Sequence, residues 1–139
     1  MITTEYKLRP RYGEVDQMGY VYHGNYVAYC HQARTELLRS FEINDKVLED
    51  NGIMLPVIEM NLKYIKPSGY DEELTIYTRI KELPVSRFYF EFEIKNEAGE
   101  NVCKANSTLV FVDSENRKPQ RVPKLILEAL EKNIEYKLN

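Results

Sequence analysis

Several features that mark specialised classes of protein are missing from this sequence. Its 139 residues include no tryptophan, only two cysteines and only two histidines. No apolar run is long enough to cross a bilayer, and the first residues lack the basic and apolar regions of a secretory signal peptide. These absences predict a cytoplasmic protein without a membrane partner.

Positive charge is also scarce: the sequence has 19 Lys and Arg residues against 22 Asp and Glu residues, which gives a net charge of −3. Nucleic-acid-binding domains normally carry a basic surface, so nucleic acid is not expected as a partner. The two cysteines, Cys30 and Cys103, lie far apart in apolar patterns. They are predicted to be free core thiols rather than a disulfide or a metal-binding pair.

The chain contains one clear amphipathic helix. Apolar residues recur three or four positions apart from Tyr26 to Phe41, which places them on one helical face. Asn25 directly precedes this pattern and is predicted to cap the helix with its side-chain oxygen. The length of the chain and its 43% apolar content predict a single domain over residues 1–139.

Most of the remaining chain alternates between apolar and polar residues, as strands do. Strands are predicted in five segments: Tyr6–Tyr12, Ile53–Lys66, Leu74–Glu82, Phe88–Ile94 and Val102–Val112. Two shorter helices are predicted at Ile43–Asn51 and Lys124–Glu135. Because short turns join consecutive strands, the strands should pair antiparallel. The predicted class is therefore α+β, with a curved antiparallel sheet wrapped around one long helix.

The loop before the long helix is the main candidate for chemistry. It holds an acid, Asp16, and one of the two histidines, His23, among three of the six glycines. It leads directly into the positive end of the helix, a position that suits an anion or a developing oxyanion.

The loop and the start of the helix resemble the signature of the hotdog-fold acyl-CoA thioesterases, in particular the 4-hydroxybenzoyl-CoA thioesterase-like group. That group includes the small bacterial acyl-CoA thioesterases associated with the Tol-Pal system. The resemblance is carried by Tyr12, Asp16, His23, the run Gly24-Asn25-Tyr26 and the run Ala33-Arg34-Thr35-Glu36. It implies a hotdog fold and hydrolysis of an acyl-CoA to a free acid and coenzyme A.

The resemblance also implies roles for particular residues. Asp16 would activate water as a general base or attack the thioester directly. Amides near His23 and Gly24 would polarise the carbonyl, while the His23 ring orients the substrate or the leaving group. Gly24 and Asn25 are expected to contact the substrate. From the residues alone, Asp16 could instead stabilise its turn, since aspartate bonds nearby backbone amides.

Two further residues have open roles. Tyr12, four residues before Asp16, could donate a hydrogen bond to Asp16 or to the substrate, or could pack on the core. Glu36, on the helix, is an alternative catalytic acid or else an ion-pair partner of Arg34 or Arg39.

Coenzyme A belongs to the substrate, and no cofactor or metal is expected because a thioester is already activated. Its phosphates need local positive charge on an acidic protein. Arg87, at the start of a predicted strand, is the first candidate, because arginine can donate two hydrogen bonds to a phosphate. A second candidate is the basic cluster of Arg117, Lys118 and Arg121.

Alternatives to an acyl-CoA thioesterase differ in substrate or in activity. An acyl carrier protein could deliver the same thioester, and a non-catalytic acyl-binding protein could share the fold. Hotdog dehydratases are disfavoured because their proline-rich histidine motif is absent. The sheet offers more apolar surface than one helix covers, so a homodimer or a homotetramer is predicted, with the site at the subunit boundary.

Overall fold

The computed structural model describes residues 1–138, and the side chains of residues 1–134. It contains seven β-strands, which are β1 (Ile2–Leu8), β2 (Ile53–Met54), β3 (Val57–Tyr64), β4 (Leu74–Ile80), β5 (Arg87–Lys95), β6 (Asn101–Asp113) and β7 (Pro119–Gln120). The α-helices are α1 (Asn25–Ser40), α2 (Asp45–Asp50) and α3 (Lys124–Leu138), and a single 3-10 turn covers Tyr12–Glu14.

The strands form one antiparallel sheet with the order β1-β4-β5-β6. Beyond β6, the short β2 and the longer β3 follow one another along the same strand, and β7 also pairs with β6. Among the described residues β3 pairs only with β6, and β1 only with β4, so β1 and β3 are the two edges of the sheet.

Helix α1 supplies the centre of the core. Its predicted apolar face is buried, with Tyr26, Cys30, Ala33, Leu37 and the adjacent Phe41 all at most 8% exposed. The sheet buries alternate residues of β4 and β5 on its inner side, as the period of two requires. The predicted α+β class and hotdog fold are confirmed.

The first predicted strand, Tyr6–Tyr12, was misplaced. The strand runs over Ile2–Leu8 instead. Pro10 has no backbone N–H and restricts the residue before it, which favours the end of the strand at this point. The chain then folds into the 3-10 turn, where the Arg11 N–H donates to Glu14 Oε1 at 2.7 Å.

The predicted strand Ile53–Lys66 is divided into β2 and β3, with Leu55 and Pro56 between them. A register shift at Ile58 adds a bulge near the start of β3. Ile58 is consequently 50% exposed on the sheet edge, although the alternation predicted it on the same face as half-buried Met60. β7 is only two residues long and escaped prediction.

Other predictions are confirmed. The Asn96–Glu100 segment is a turn, in which Asn96 Oδ1 accepts from two backbone amides and Gly99 takes a positive φ of 79°. Cys30 and Cys103 are free and buried. Burial raises the pKa of the Cys30 thiol to about 12 and that of the Cys103 thiol to about 11, so neither is a nucleophile near neutral pH.

Within residues 1–138, no helix has the length and apolarity needed to cross a membrane. The described residues also contain no cluster of three or more histidine, cysteine, aspartate or glutamate side chains suited to a metal ion.

Candidate active site

Glu14 ties the loop that precedes α1 to the helix itself. Its Oε1 accepts hydrogen bonds from the Arg11 N–H and from the Tyr29 hydroxyl, at 2.7 and 3.0 Å. Its carbonyl oxygen accepts from the Tyr22 N–H at 2.9 Å and from Asn25 Nδ2 at 2.8 Å. Burial, followed by the neighbouring Glu14, raises the pKa of Tyr29 far above its usual value, so its hydroxyl remains a donor. Two of these bonds, from Tyr29 and Asn25, hold the loop against α1, and the other two brace the loop internally.

The structure corrects the prediction that Asn25 caps α1. The helix begins at Asn25, Gly24 takes the capping position, and no side chain caps the helix there. The side-chain amide of Asn25 instead points back to the Glu14 carbonyl, so it positions the loop. The first amides of α1 therefore have no side chain bound to them.

Asp16 has two oxygens in different situations. Its Oδ1 accepts from the backbone N–H groups of Met18 and Tyr20 at 2.9 and 3.2 Å. The turn-stabilising role that aspartate often plays is thus present. Its Oδ2 receives no hydrogen bond from any described residue, and the side chain is half-buried. One oxygen is held in place while the other remains available as a base or a nucleophile.

Asp16 and His23 line the same surface pocket, of about 410 Å³, which we call the Asp16 pocket. Its other walls come from the loop, from the start of α1 and from the end of β3 and the following turn. They are Met18, Tyr20, Val21, Tyr26, Tyr64, Ile65, Lys66 and Pro67.

His23 is held between two aromatic rings, with ring centroids 4.4 Å from Tyr22 and 5.9 Å from Tyr64. Its carbonyl oxygen accepts from the Tyr64 hydroxyl at 3.2 Å and from the Tyr26 N–H at 3.3 Å. The N–H groups of His23 and Gly24, by contrast, have no acceptor among the described residues. They lie at the positive end of α1, where they can donate to an oxygen that gains negative charge.

Gly24 allows the chain to pass close to a ring. A Cβ placed on Gly24 would lie only 2.9 Å from Cε2 of Tyr22. The backbone itself is in the ordinary helical region, with φ −65° and ψ −22°. Space, not backbone strain, therefore favours glycine at this position.

This arrangement of a loop carboxylate and helix-start amides coincides with a match to a known family. The model of the thioesterase-like superfamily matches residues 10–130. The chain belongs to this superfamily.

Individual relatives support the assignment. The chain is 34% identical over 119 residues to YneP of Bacillus subtilis (strain 168), which its name assigns provisionally to the acyl-CoA thioesterases; the match covers 86% of each protein. It is 32% identical over 120 residues to the acyl-CoA thioester hydrolase YbgC of Escherichia coli O6:H1, covering 86% of this chain and 90% of YbgC. The structure of a DHNA-CoA thioesterase from Staphylococcus aureus superimposes with a TM-score of 0.88 at 28% identity, covering 99% of this chain and 93% of that one.

Not every residue of the thioesterase-like motif lies at the Asp16 pocket. Tyr12 is 79% exposed, packs edge-on against Tyr70 and does not line the Asp16 pocket. The alternative in which Tyr12 packs on the core is therefore wrong, and no hydrogen bond joins it to Asp16 among the described residues. Its contact with the substrate stays a prediction.

Arg87 lies at the far end of the sheet from the Asp16 pocket. It pairs with Val110 on β6, whereas Tyr64, in the pocket wall, pairs with Cys103 seven residues away. At about 3.3 Å per residue, that separation is roughly 23 Å. The second basic cluster lies at the same far end, because the Val122 N–H beside it donates to the Val85 carbonyl. Arg87 therefore does not line the Asp16 pocket, and its contact with coenzyme A stays a prediction.

Glu36 forms an ion pair with Arg39 at 2.9 Å and does not line the Asp16 pocket. The ion-pair alternative is thus confirmed for Arg39, whereas Arg34 forms its side-chain hydrogen bond with His31.

Sequence reasoning missed several residues of the site. The Tyr26 hydroxyl and Ser68 Oγ are 2.6 Å apart, and burial raises the pKa of Tyr26. This pair fixes the Pro67 turn beside the helix start.

Lys66 is part of the pocket wall and is paired with Glu100, whose pKa is lowered by that contact. The turn signal next to Lys66 was visible in the sequence, but its distance from Asp16 was not.

Proposed function

We propose that the Asp16 pocket hydrolyses acyl-CoA thioesters to a free acid and coenzyme A. The observation that carries the proposal is that one pocket is lined both by Asp16, with an unbound carboxylate oxygen, and by His23, whose backbone N–H is unbound and is followed by the unbound N–H of Gly24. A thioester needs both: a group that delivers a nucleophile to its carbonyl carbon, and donors for its carbonyl oxygen.

In the water route, Asp16 Oδ2 takes a proton from a water molecule as the water oxygen attacks the carbonyl carbon. The N–H groups of His23 and Gly24 stabilise the negative oxygen of the tetrahedral intermediate. The carbon–sulfur bond then breaks, and the coenzyme A thiolate leaves and receives the proton from Asp16. Carboxylic acid and free thiol are the products.

In the alternative route, Asp16 Oδ2 attacks the carbonyl carbon itself and forms an anhydride as the thiolate leaves. Water then cleaves the anhydride. A single turnover in ¹⁸O-labelled water distinguishes the two routes by where the label is found, provided that water attacks the anhydride at the Asp16 carbonyl. Label would then enter Asp16, whereas the water route places it only in the acid product.

We further propose that the active form is at least a homodimer, built by antiparallel pairing of two β3 edges. The outer edge of β3 has no partner among the described residues, and Ile58 and Tyr64 are about half exposed along it. Tyr64 also lines the Asp16 pocket, so a partner on β3 would meet that pocket.

The test of the activity is a panel of aliphatic and aromatic acyl-CoAs, read by the release of free thiol. We expect turnover of at least one class by the wild type and a large loss in Asp16→Asn. The same acyl groups carried on acyl carrier protein form the second arm, because that carrier offers an identical thioester. A purified, folded protein that turned over no thioester on either carrier would favour an acyl-binding function and reject the proposal.

A further inference from the structure

Arg34 is a buried cation without a buried counter-ion. Its side chain is only 8% exposed, yet it forms no ion pair with any described carboxylate, although its helix neighbour Arg39 pairs with Glu36. A buried charge usually requires a partner, because desolvation without one is costly. No Arg34 nitrogen is both buried and unbonded among the described residues, so its free N–H groups reach the adjoining pocket and can donate to a further acceptor.

The described side-chain partner of Arg34 is a neutral one. Its Nη2 lies 2.7 Å from Nδ1 of His31, one turn earlier on α1. Since a guanidinium only donates, Nδ1 must accept, and the proton of His31 lies on Nε2. Burial and the nearby guanidinium lower the pKa of His31, which favours this neutral form. The pair thus offers the remaining Arg34 N–H groups and the His31 Nε2–H as donors.

Both residues line a second pocket, of about 450 Å³, which we call the Arg34 pocket. Apolar side chains of α1, α2 and the chain ahead of β3 form much of its wall, including Leu38, Leu48 and Leu55. Asp45 and Glu49 also line it; the charge of Asp45 favours the charged form of Arg34, but neither carboxylate forms an ion pair with it. An apolar pocket with a few placed donors suits an elongated organic group that ends in an oxygen acceptor.

The two pockets lie at opposite ends of β3. Tyr64 and Ile65, at its end, line the Asp16 pocket, whereas Leu55 and Pro56, just before its start, line the Arg34 pocket. Antiparallel pairing of two β3 edges about a two-fold axis sets the end of one strand beside the start of the other. Each Asp16 pocket would then face the Arg34 pocket of the other subunit.

We infer that the Arg34 pocket of one subunit receives the far end of the acyl group whose thioester lies in the other subunit's Asp16 pocket. Arg34 and His31 would select acyl groups that end in a carboxylate, which can accept two hydrogen bonds from a guanidinium. This inference rests on the proposed thioesterase function and on the β3 dimer, and it adds a specificity determinant to both.

The test compares straight-chain acyl-CoAs with ω-carboxyacyl-CoAs of matched chain length. We expect the wild type to prefer the ω-carboxy member at one or more lengths. Arg34→Met should lose about 10- to 100-fold in kcat/KM on that member, the scale of one hydrogen-bonded charge, and little on its aliphatic match. Arg39→Met, an exposed arginine of the same helix, is the control and should leave the preference intact.

Different results identify different failures. If the wild type hydrolyses no thioester, the proposed function fails. If it hydrolyses both series without preference, or if Arg34→Met weakens both equally, the inference is overturned. A parallel loss of inhibition by free coenzyme A would assign Arg34 to the coenzyme phosphates instead. Should Arg34→Met not fold, Arg34→Lys keeps the charge but removes the planar fork, and it should lower the preference in the same direction.

Mixed dimers test the placement across subunits. A heterodimer of Asp16→Asn and Arg34→Met chains, purified with two different tags, contains one site that combines Asp16 of one chain with Arg34 of the other. If the sites are shared as inferred, this heterodimer keeps the wild-type preference for the ω-carboxy substrate. If it instead shows the preference of the Arg34→Met homodimer, Arg34 acts within its own subunit, and the shared site is refuted.

Discussion

The two pockets along α1 are built in opposite ways. The Asp16 pocket consists of a polar loop and backbone amides, with its key groups half-buried or exposed and one carboxylate oxygen unbound. The Arg34 pocket has apolar walls beside a buried cation that forms no ion pair with any described carboxylate. The first has the composition of a reaction centre, where charge develops and moves. The second has that of a recognition pocket, where fixed donors select a fixed acceptor.

The largest expected effect comes from removing the carboxylate of the Asp16 pocket. Asp16→Asn should lower turnover about 100-fold or more, because the amide can neither take a proton from water nor attack the thioester. Its Oδ1 can still accept from Met18 and Tyr20, so the loop should keep its shape. Stopped-flow or steady-state thiol release measures the loss, and circular dichroism checks the fold.

Glu36→Gln is the matched control, since Glu36 is the other candidate acid of the motif and forms an ion pair outside the pocket. It should retain near wild-type turnover. The reverse result, an active Asp16→Asn and an inactive Glu36→Gln, would make Asp16 structural and move the reaction centre to α1.

The sequence allowed the Asp16 pocket to be predicted better than the Arg34 pocket, for a physical reason. Asp16, His23 and Gly24 lie within nine consecutive residues, so local turn and helix geometry brings them together. A short sequence motif can therefore indicate this arrangement. The Arg34 pocket depends on how α1, α2 and the chain ahead of β3 pack together and on Ser114 just after the end of β6, and no local pattern shows that packing. Periodicity placed Ala33 and Leu37 in the core but could not show that Arg34 is buried there without a carboxylate.

The same distinction holds for the fold. Strands with a regular alternation, such as Phe88–Ile94, were predicted close to their observed bounds, because the polarity of each residue indicates the face of the sheet on which it lies. The edge at β3 was not predicted, because its bulge at Ile58 and its lack of an outer partner among the described residues are determined by how the strands pair and not by the local alternation of residues. Asn25 was misassigned for a related reason: its side chain binds the distant Glu14 carbonyl, not the helix amides next to it.

The second prediction concerns the proposed dimer, whose dissociation would part the Asp16 pocket of one subunit from the Arg34 pocket of the other. Ile58→Lys places a charge on the free edge of β3, a feature by which natural sheets avoid edge pairing. We expect the dimer to dissociate at micromolar concentration by light scattering, with about 10-fold lower kcat/KM because the pocket loses its partner wall.

The control for this change is Leu125→Lys, which alters an exposed apolar residue of α3 away from the edge. It should leave both mass and activity unchanged. A wild-type protein that is monomeric and fully active at micromolar concentration would show that the two pockets need no shared interface.

A smaller effect is expected for Arg87→Ala, which sharpens the comparison by probing the coenzyme rather than the acyl group. Arg87 is exposed and forms no ion pair within residues 1–134, so it is free to bind phosphate. Loss of an exposed charge contact should raise KM for acyl-CoA about 2- to 5-fold and leave turnover nearly unchanged. The increase should shrink at high salt.

A truncated thioester without the nucleotide provides the control for Arg87→Ala. KM for that substrate should not change, because the phosphates are missing. An equal increase on both substrates would assign Arg87 to the shape of the acyl pocket or of the sheet end, where it pairs with Val110.

The smallest expected effect concerns His31 and the pH dependence of stability. Burial first, and then Arg34, lower the pKa of His31 in the folded protein, while Asp45 opposes them. The unfolded chain therefore binds more protons at this residue than the folded one does. The free energy of unfolding should fall as pH drops through the unfolded pKa, about 6.5, and level off below the folded pKa.

His31→Gln should flatten this part of the profile, because glutamine carries no titrating group yet can still accept from Arg34. The measurement is urea unfolding from about pH 5 to about pH 8, a range in which histidine is the side chain that ordinarily titrates. His23→Gln is the matched control and should retain the slope due to His31. A His31→Gln profile that is superimposable on the wild type would mean that His31 is equally protonated in both states, and that Arg34 does not depend on a neutral imidazole.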